Sequence, residues 1–339
     1  MQYQETPRYL INQNPLPIGN VKNASPVTIL QWLINNVQKI QITRRVNYIV
    51  NIKDKNIMSH NKNKIIAFNY FGGKFTWLDY LYKHFPNDFT HLVDLFAGSM
   101  SVSLNYKGNV IKTANEINSD ITNFFEVLRD HEPELIRLLL LTPCSLLEYN
   151  NSWNAIEFTN YTADKIERAR RFYVRVRQSF FGLGAQRKNK GWHMAKQQIN
   201  AKGGETVSRW NNALEKLHEV AEIIRSNFQI TNLDYLECID KIQFPKAFFY
   251  CDPPYVAESR KSFNDYKFEF STYDHICLSE KLHNTNTLAM VSGYNSELYN
   301  ELYKDWTKIE FPTKLNNIRS SEVTEVIWIN YEIKKTLFD

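Results

Sequence analysis

Short apolar runs and stretches of helical spacing take turns along this chain. Leu92-Val93, the segment 110–114, Ile230-Thr231, Phe248-Phe249-Tyr250-Cys251, Leu288-Ala289-Met290-Val291 and Val326-Ile327-Trp328-Ile329 have the composition of buried strands. Between them, residues 119–130, 163–181, 206–226 and 276–284 read as amphipathic helices. In 163–181 the apolar positions are Ile166, Ala169, Phe172, Tyr173 and Val176, spaced three and four apart. Strands alternating with helices predict an α/β fold with a mixed, mainly parallel sheet. The segments 308–311 and 326–331 are expected to close the sheet as an antiparallel pair. Upstream, the pattern predicts a polar lead over 1–27, a helix over 28–43, a strand over 46–52 and a Lys/Asn-rich linker over 53–64. No run of about 18 apolar residues occurs, so no membrane-spanning helix is expected. Met1-Gln2-Tyr3-Gln4-Glu5 lacks a leader pattern, so a cytoplasmic protein is expected.

Overall composition changes little in this picture; the placement of charge changes more. The net charge is +5 over 339 residues. Residues 1–60 hold seven Lys/Arg against Glu5 and Asp54, so the rest of the chain balances to zero. Within that rest, residues 165–209 hold twelve Lys/Arg against Glu167 and Glu205. A neutral body with one basic belt suggests a polyanion bound at one place, although a solvated helix face gives the same pattern. The belt runs into Phe180-Phe181-Gly182-Leu183-Gly184, then Arg187-Lys188-Asn189-Lys190-Gly191-Trp192. Glycine, aromatic and basic residues together suit a nucleic-acid backbone and its bases; a lysine-rich exposed loop is the plainer alternative. Arg175, Arg187, Lys188 and Lys190, with Arg319 from the polar loop 314–321, are the candidate contacts. Cys144, Cys238, Cys251 and Cys277 have no metal-ligand spacing and read as reduced thiols, with no metal site expected.

The candidate chemistry lies where one strand stops. Phe248-Phe249-Tyr250-Cys251 runs into Asp252-Pro253-Pro254-Tyr255. Proline fixes φ and cannot donate to a ladder, so the strand must end there. That leaves an acid, backbone carbonyls and an aromatic ring at the carboxyl end of a strand, where ligands bind in open α/β sheets. Two upstream segments fit the same edge. Asp94-Leu95-Phe96-Ala97-Gly98-Ser99 is an acid and small residues between a strand and a helix, and Glu116 follows the next strand, placed to hold ribose hydroxyls or to sit beside a helix cap. Tyr70-Phe71-Gly72-Gly73-Lys74 precedes helical spacing at Trp77, Leu78, Leu81 and Phe85, which predicts glycine N–H groups at a helix start facing an anion. The aromatic stretch 256–275 is long for a connection and reads as a lid or ligand loop.

Taken in order over roughly 65–335, Tyr70 to Lys74, Asp94 to Gly98, Glu116-Ile117-Asn118 and Asp252 to Tyr255 resemble the Dam-type (D12 class) DNA adenine-N6 methyltransferases. The resemblance implies a Rossmann-like methyltransferase fold, with a catalytic domain at 65–130 and 228–339, a helical target-recognition insert at 131–227, and a basic extension at 1–64 outside it. It implies S-adenosylmethionine as methyl donor, contacted by Tyr70, Gly72, Gly73, Lys74, Asp94, Phe96, Gly98, Glu116, Asn118 and Asp252, with Lys74 near its carboxylate. It implies catalysis by Asp252, Pro253 and Tyr255 on a base flipped out of double-stranded DNA. One departure is Met100, where the family usually has glycine. That side chain would either narrow the cofactor pocket or point into the core. A cognate restriction endonuclease is a candidate partner, and a monomer is expected.

The residues suit that chemistry. A carboxylate and a carbonyl accepting the two amino hydrogens would favour a pyramidal nitrogen, its lone pair aimed at a sulfonium methyl. Serine at the first motif position would suggest cytosine-N4 methylation and asparagine a protein or RNA substrate, so Asp252 points to adenine. A catalytically silent DNA-binding relative is the remaining alternative.

Overall fold

The computed structural model describes residues 64–70, 72–154, 162–179, 191–194, 199–200, 203–256, 268–311 and 325–333. All belong to the compact unit Lys64–Asp339. The helix expected over 28–43, the strand over 46–52 and all but the last residue of the extension 1–64 therefore lie outside the described residues, as do residues 257–267 of the stretch 256–275 expected as a lid or ligand loop.

A seven-stranded sheet organises the unit. Its strands are β1 (His91–Asp94), β2 (Ile111–Asn115), β5 (Phe228–Thr231), β6 (Ala247–Cys251), β7 (Leu288–Tyr294), β8 (Thr307–Glu310) and β9 (Glu325–Ile329), in the order β5-β2-β1-β6-β7-β9-β8. The first five are parallel, and β9 enters antiparallel between β7 and β8. A separate two-stranded ribbon joins β3 (Ile199–Asn200) and β4 (Gly203–Gly204). The expected mixed, mainly parallel sheet and its closing antiparallel pair are both present.

Central β6 is buried at every position because helices cover both faces, which is why it reads as an unbroken apolar run rather than an alternating one. Its side chains still alternate. Phe248 and Tyr250 pack with Phe85, Leu92 and Met290 on one face, while Phe249 and Cys251 pack with Val93, Ala289 and Trp328 on the other. Helix α1 (Leu78–Tyr82) covers the first face; α8 (Tyr235–Ile242), α9 (Thr272–His283) and α10 (Glu297–Leu302) cover the second. Helix α9 starts four residues before the expected 276, because Ser271 and Asp274 form a capping box there. No described helix is long and apolar enough to cross a membrane.

The remaining helices are α2 (Ser101–Asn105), α3 (Ser119–Asp130), α4 (Glu132–Leu141), α5 (Leu146–Asn151), α6 (Thr162–Gln178) and α7 (Glu205–Asn227). Ile166, Ala169, Phe172, Tyr173 and Val176 of α6 are buried as their spacing predicts. They share one apolar cluster with Phe124 of α3, Leu214 and Leu217 of α7, and Phe68. Phe68 sits 5.5 Å from Phe124 and 5.3 Å from Phe172, ring centre to ring centre. Helices α6 and α7, within the stretch 131–227 expected as an insert, thus pack into one core with α3 and Phe68.

Candidate active site

The sheet brings the chemistry to one edge. Asp94, Asn115 and Cys251 each end a parallel strand on the same side. Cys251 pairs with Val291, which sets Ser292 beside Asp252. Because β9 runs the other way, its first residue, Glu325, pairs with Tyr294 and arrives at the same edge.

Asp252 is held by two donors. Ser292 Oγ donates to its Oδ1 at 2.7 Å. Lys74 Nζ donates to Oδ1 at 2.8 Å and to Oδ2 at 2.9 Å, and also to the Gly72 carbonyl at 3.0 Å. The Lys74 side chain is 2% exposed. Its ammonium also lies 3.8 Å from Glu325 Oε2, which accepts from the Tyr255 hydroxyl at 2.6 Å. The ammonium sits 4.8 Å from the Tyr255 ring centre, and that ring meets Tyr294 edge-on at 4.5 Å. Burial alone would pull the Lys74 ammonium down; Asp252 and Glu325 outweigh it, and its pKa ends above the usual lysine value. Burial raises the Glu325 carboxyl, against the opposing pull of Lys74. Burial also pushes the Tyr255 phenol well up, so it acts as a donor.

Beside this cluster lies a cavity of about 250 Å³ lined by Tyr70, Lys74, Asp94, Phe96, Gly98, Glu116, Asp252, Pro253 and Tyr255, among others. Gly98 has φ +50°, and a Cβ there would come within 2.8 Å of the Tyr70 ring, so only glycine allows Tyr70 to close over this turn. Glu116 accepts from the Gly98 amide at 2.8 Å and from the Asn118 amide at 2.9 Å, one on each oxygen. Each oxygen keeps a second lone pair for a ligand hydroxyl. Asp94 accepts from Ser103 Oγ at 2.7 Å, and burial pushes its carboxyl up to about 7 despite that bond. Phe96, Tyr235 and Phe270 form an aromatic box, with Phe270 5.4 Å from Phe96 and 5.1 Å from Tyr235.

Several expectations change in detail. The Gly72-Gly73 amides do not open a helix: Gly72 takes φ +76°, the Gly73 amide donates to the Tyr70 carbonyl at 3.1 Å, and α1 starts only at Leu78. The lysine expected beside a cofactor carboxylate directs all three ammonium hydrogens to Gly72 and Asp252. Asn118 lies off the cavity as the N-cap of α3, accepting from the Asp120 amide at 3.1 Å. Met100 is fully buried in the apolar cluster with Phe124, so its side chain points into the core. It adopts φ +55°, the left-handed conformation that explains a glycine preference there. Arg175 is no free cation: it donates to the Ser152 carbonyl at 2.5 Å, reaches Asp120 at 3.5 Å and lies over the Trp153 ring. Arg187, Lys188, Lys190 and Arg319 fall outside the described residues. All four cysteines are free thiols. Phe270 belongs to the aromatic stretch 256–275 expected as a lid or ligand loop and does line the cavity, but the sequence pattern does not single out Ser292, Glu325 or Tyr235. A serine inside an apolar strand and a glutamate opening another are the available signals.

Comparison with known proteins bears on this edge directly. A model of the D12 class N6 adenine-specific DNA methyltransferase family matches residues 70–318. The Type II methyltransferase M1.LlaDCHI of Lactococcus lactis subsp. cremoris is 28% identical over 297 residues, covering 81% of this chain and 99% of that protein. The family match takes in Tyr70, Glu116 and Asp252 and stops short of Glu325.

Proposed function

The chain belongs to the D12 class of N6 adenine-specific DNA methyltransferases, and from that premise we propose which of its residues carry methyl transfer to adenine N6 in DNA. When bound, S-adenosylmethionine supplies an electrophilic methyl group on a sulfonium. The cavity beside Asp252 suits it: Glu116 offers two acceptor lone pairs for ribose hydroxyls, Phe96, Tyr235 and Phe270 offer an apolar slot for a flat ring, and Tyr70 closes over Gly98. Asp94 and Lys74 line the same cavity.

Asp252 and the Pro253 carbonyl accept the two hydrogens of the adenine amino group. Oδ1 of Asp252 already has Ser292 and Lys74, while Oδ2 has Lys74 alone, so Oδ2 is the atom with room for the substrate. Accepting those hydrogens draws the nitrogen lone pair out of ring conjugation and toward the methyl group. The nitrogen releases a proton as its new bond forms, and the neighbouring carboxylate stabilises the developing cation. The two prolines hold this geometry without reorganisation. Tyr255 stacks on the base, which must leave the duplex at a cost of a few kcal/mol. Arg187, Lys188, Lys190 and Arg319 contact phosphates and offset that cost. The Type II name of the Lactococcus protein supports pairing with a cognate endonuclease, and the enzyme acts as a monomer.

The observation that carries this reading is the pinned carboxylate of Asp252 at the mouth of the Glu116 cavity. The test is incubation with a labelled methyl donor and duplex DNA, followed by digestion to nucleosides. Label should appear in N6-methyladenine and vanish with Asp252→Ala, while gel-shift affinity for DNA holds. Label in cytosine, or activity that survives Asp252→Ala, would contradict it.

A further inference from the structure

We infer that Glu325 is a positioning residue that takes over the Lys74 ammonium when the base amino group claims Asp252. The inference rests on the reading of Asp252 as amino-group acceptor and addresses a difficulty that reading leaves. Lys74 donates to both oxygens of Asp252 at 2.8 and 2.9 Å. A charged donor makes a stronger hydrogen bond than a neutral amino group, so while Lys74 sits on both oxygens the free lone pair of Oδ2 is a weaker acceptor for the substrate than it becomes once the ammonium turns away. At 2% exposure the Lys74 side chain has little contact with bulk water. Stranding a charge in the interior costs several kcal/mol.

Glu325 resolves this. Among the described residues, Asp252 and Glu325 are the two carboxylates paired with Lys74. At 3.8 Å Glu325 lies outside hydrogen-bond length, and a swing of about 1 Å by the lysine stem would bring it in. The receiving carboxylate is itself fixed. It opens β9 opposite Tyr294 and accepts from the Tyr255 hydroxyl at 2.6 Å. The ammonium stays near the Tyr255 ring throughout, which eases the transfer between partners. Two carboxylates share one ammonium, so one can always be released to the substrate. Among the described residues, Lys74, Asp252, Tyr255, Tyr294 and Tyr250 face Glu325. Glu325 also lies beyond the residues that the family match covers.

The test is single-turnover methyl transfer by the full chain and by Glu325→Gln, Lys74→Met and the double variant, with dissociation constants for S-adenosylmethionine and DNA measured alongside. Glutamine keeps an acceptor for the Tyr255 hydroxyl and removes the charge. The transfer step should slow roughly ten- to a hundredfold in Glu325→Gln, at unchanged affinity for both substrates. Because the charge matters only while Lys74 is present, the double variant should be no slower than Lys74→Met alone. Glu325→Asp, which retains the charge, should be faster than Glu325→Gln. An unslowed Glu325→Gln, or losses that multiply in the double variant, would overturn the hand-off. Methyl transfer abolished by Asp252→Ala but intact in Glu325→Gln would remove the hand-off and leave Asp252 as acceptor. Full activity in Asp252→Ala would remove both.

Discussion

Two clusters of charge in this protein look alike in sequence and differ in balance. Around α6, Arg168 bonds Asp120 at 2.8 Å, Arg170 bonds Glu148 at 2.5 Å and Glu167 at 2.6 Å, and Arg171 bonds Glu167 at 2.8 Å. Carbonyls of Ser152 and Asn154 and the hydroxyls of Ser119 and Thr142 take further hydrogens. Planar guanidinium forks facing several acceptors are fixed in direction, so this network holds one arrangement. At the sheet edge, one rotatable ammonium faces two carboxylates. Saturated charge braces helices together, whereas charge in excess leaves an acceptor to spare. The basic belt therefore divides: Arg168, Arg170, Arg171 and Arg175 of its helical half are taken up in internal bracing, and Arg187, Lys188 and Lys190, proposed above as phosphate contacts, lie outside the described residues.

The comparison can be broken or sharpened by experiment. Asp252→Ala should cost more than about a thousandfold in methyl transfer, or about 4 kcal/mol. Its melting midpoint should barely move, because Glu325 remains as the counterion of Lys74. A large drop in melting midpoint would mean that the edge is braced like the arginine network around α6. Asp94 should report its burial at this edge through pH, with the nearby Asp252 and Glu116 charges as a smaller contribution. Its pKa of about 7 in the folded state lies above the unfolded carboxylate value. Between about pH 4 and 7 the folded state therefore holds a proton that the unfolded chain has shed. Stability falls as pH rises through that window and levels off above it. Asp94→Asn, which can still accept from Ser103, should remove that loss, gaining on the order of 3 kcal/mol over wild type by pH 7 in urea titrations. A constant difference across the window would place the proton elsewhere.

Arg170→Ala should show the opposite behaviour. It strands Glu148, partly buried, and leaves Glu167 with Arg171 alone, and should cost about 2 kcal/mol in chemical denaturation with DNA affinity unchanged. Smallest is the effect of Arg175→Gln on DNA binding. Its salt slope should match wild type, whereas neutralising Arg187, Lys188 and Lys190 should lower the slope by roughly one for each phosphate left without its cation. Equal slopes for both variants would dissolve the division of the belt.

How far the sequence reveals this arrangement depends on whether a feature is local. Strand β6, its proline stop and Asp252 are consecutive residues, so their geometry follows from chain stiffness and burial. The helix at 119–130 is legible because its apolar period meets a buried cluster and Asn118 caps it. Ser292 and Glu325 lie 40 and 73 residues beyond Asp252 and reach it only through sheet register. A glutamate before an apolar run gives no sign of which strand it will face. The arginines of α6 mislead for a related reason: Glu167 is a near neighbour in sequence, but Asp120 and Glu148 approach from other helices. Met100 is ambiguous because a left-handed residue reveals where its side chain points only once the surrounding core is formed.

The antiparallel strand β9 gives the enzyme a schedule. It is the last described strand to leave the ribosome, yet it lies between two others and brings in Glu325. A nascent chain ending before Glu325 already contains Lys74, Asp252 and the residues around the cofactor cavity. What it lacks is Glu325 and the buried strand that joins β7 to β8, so the edge around Asp252 is completed only once β9 has been made.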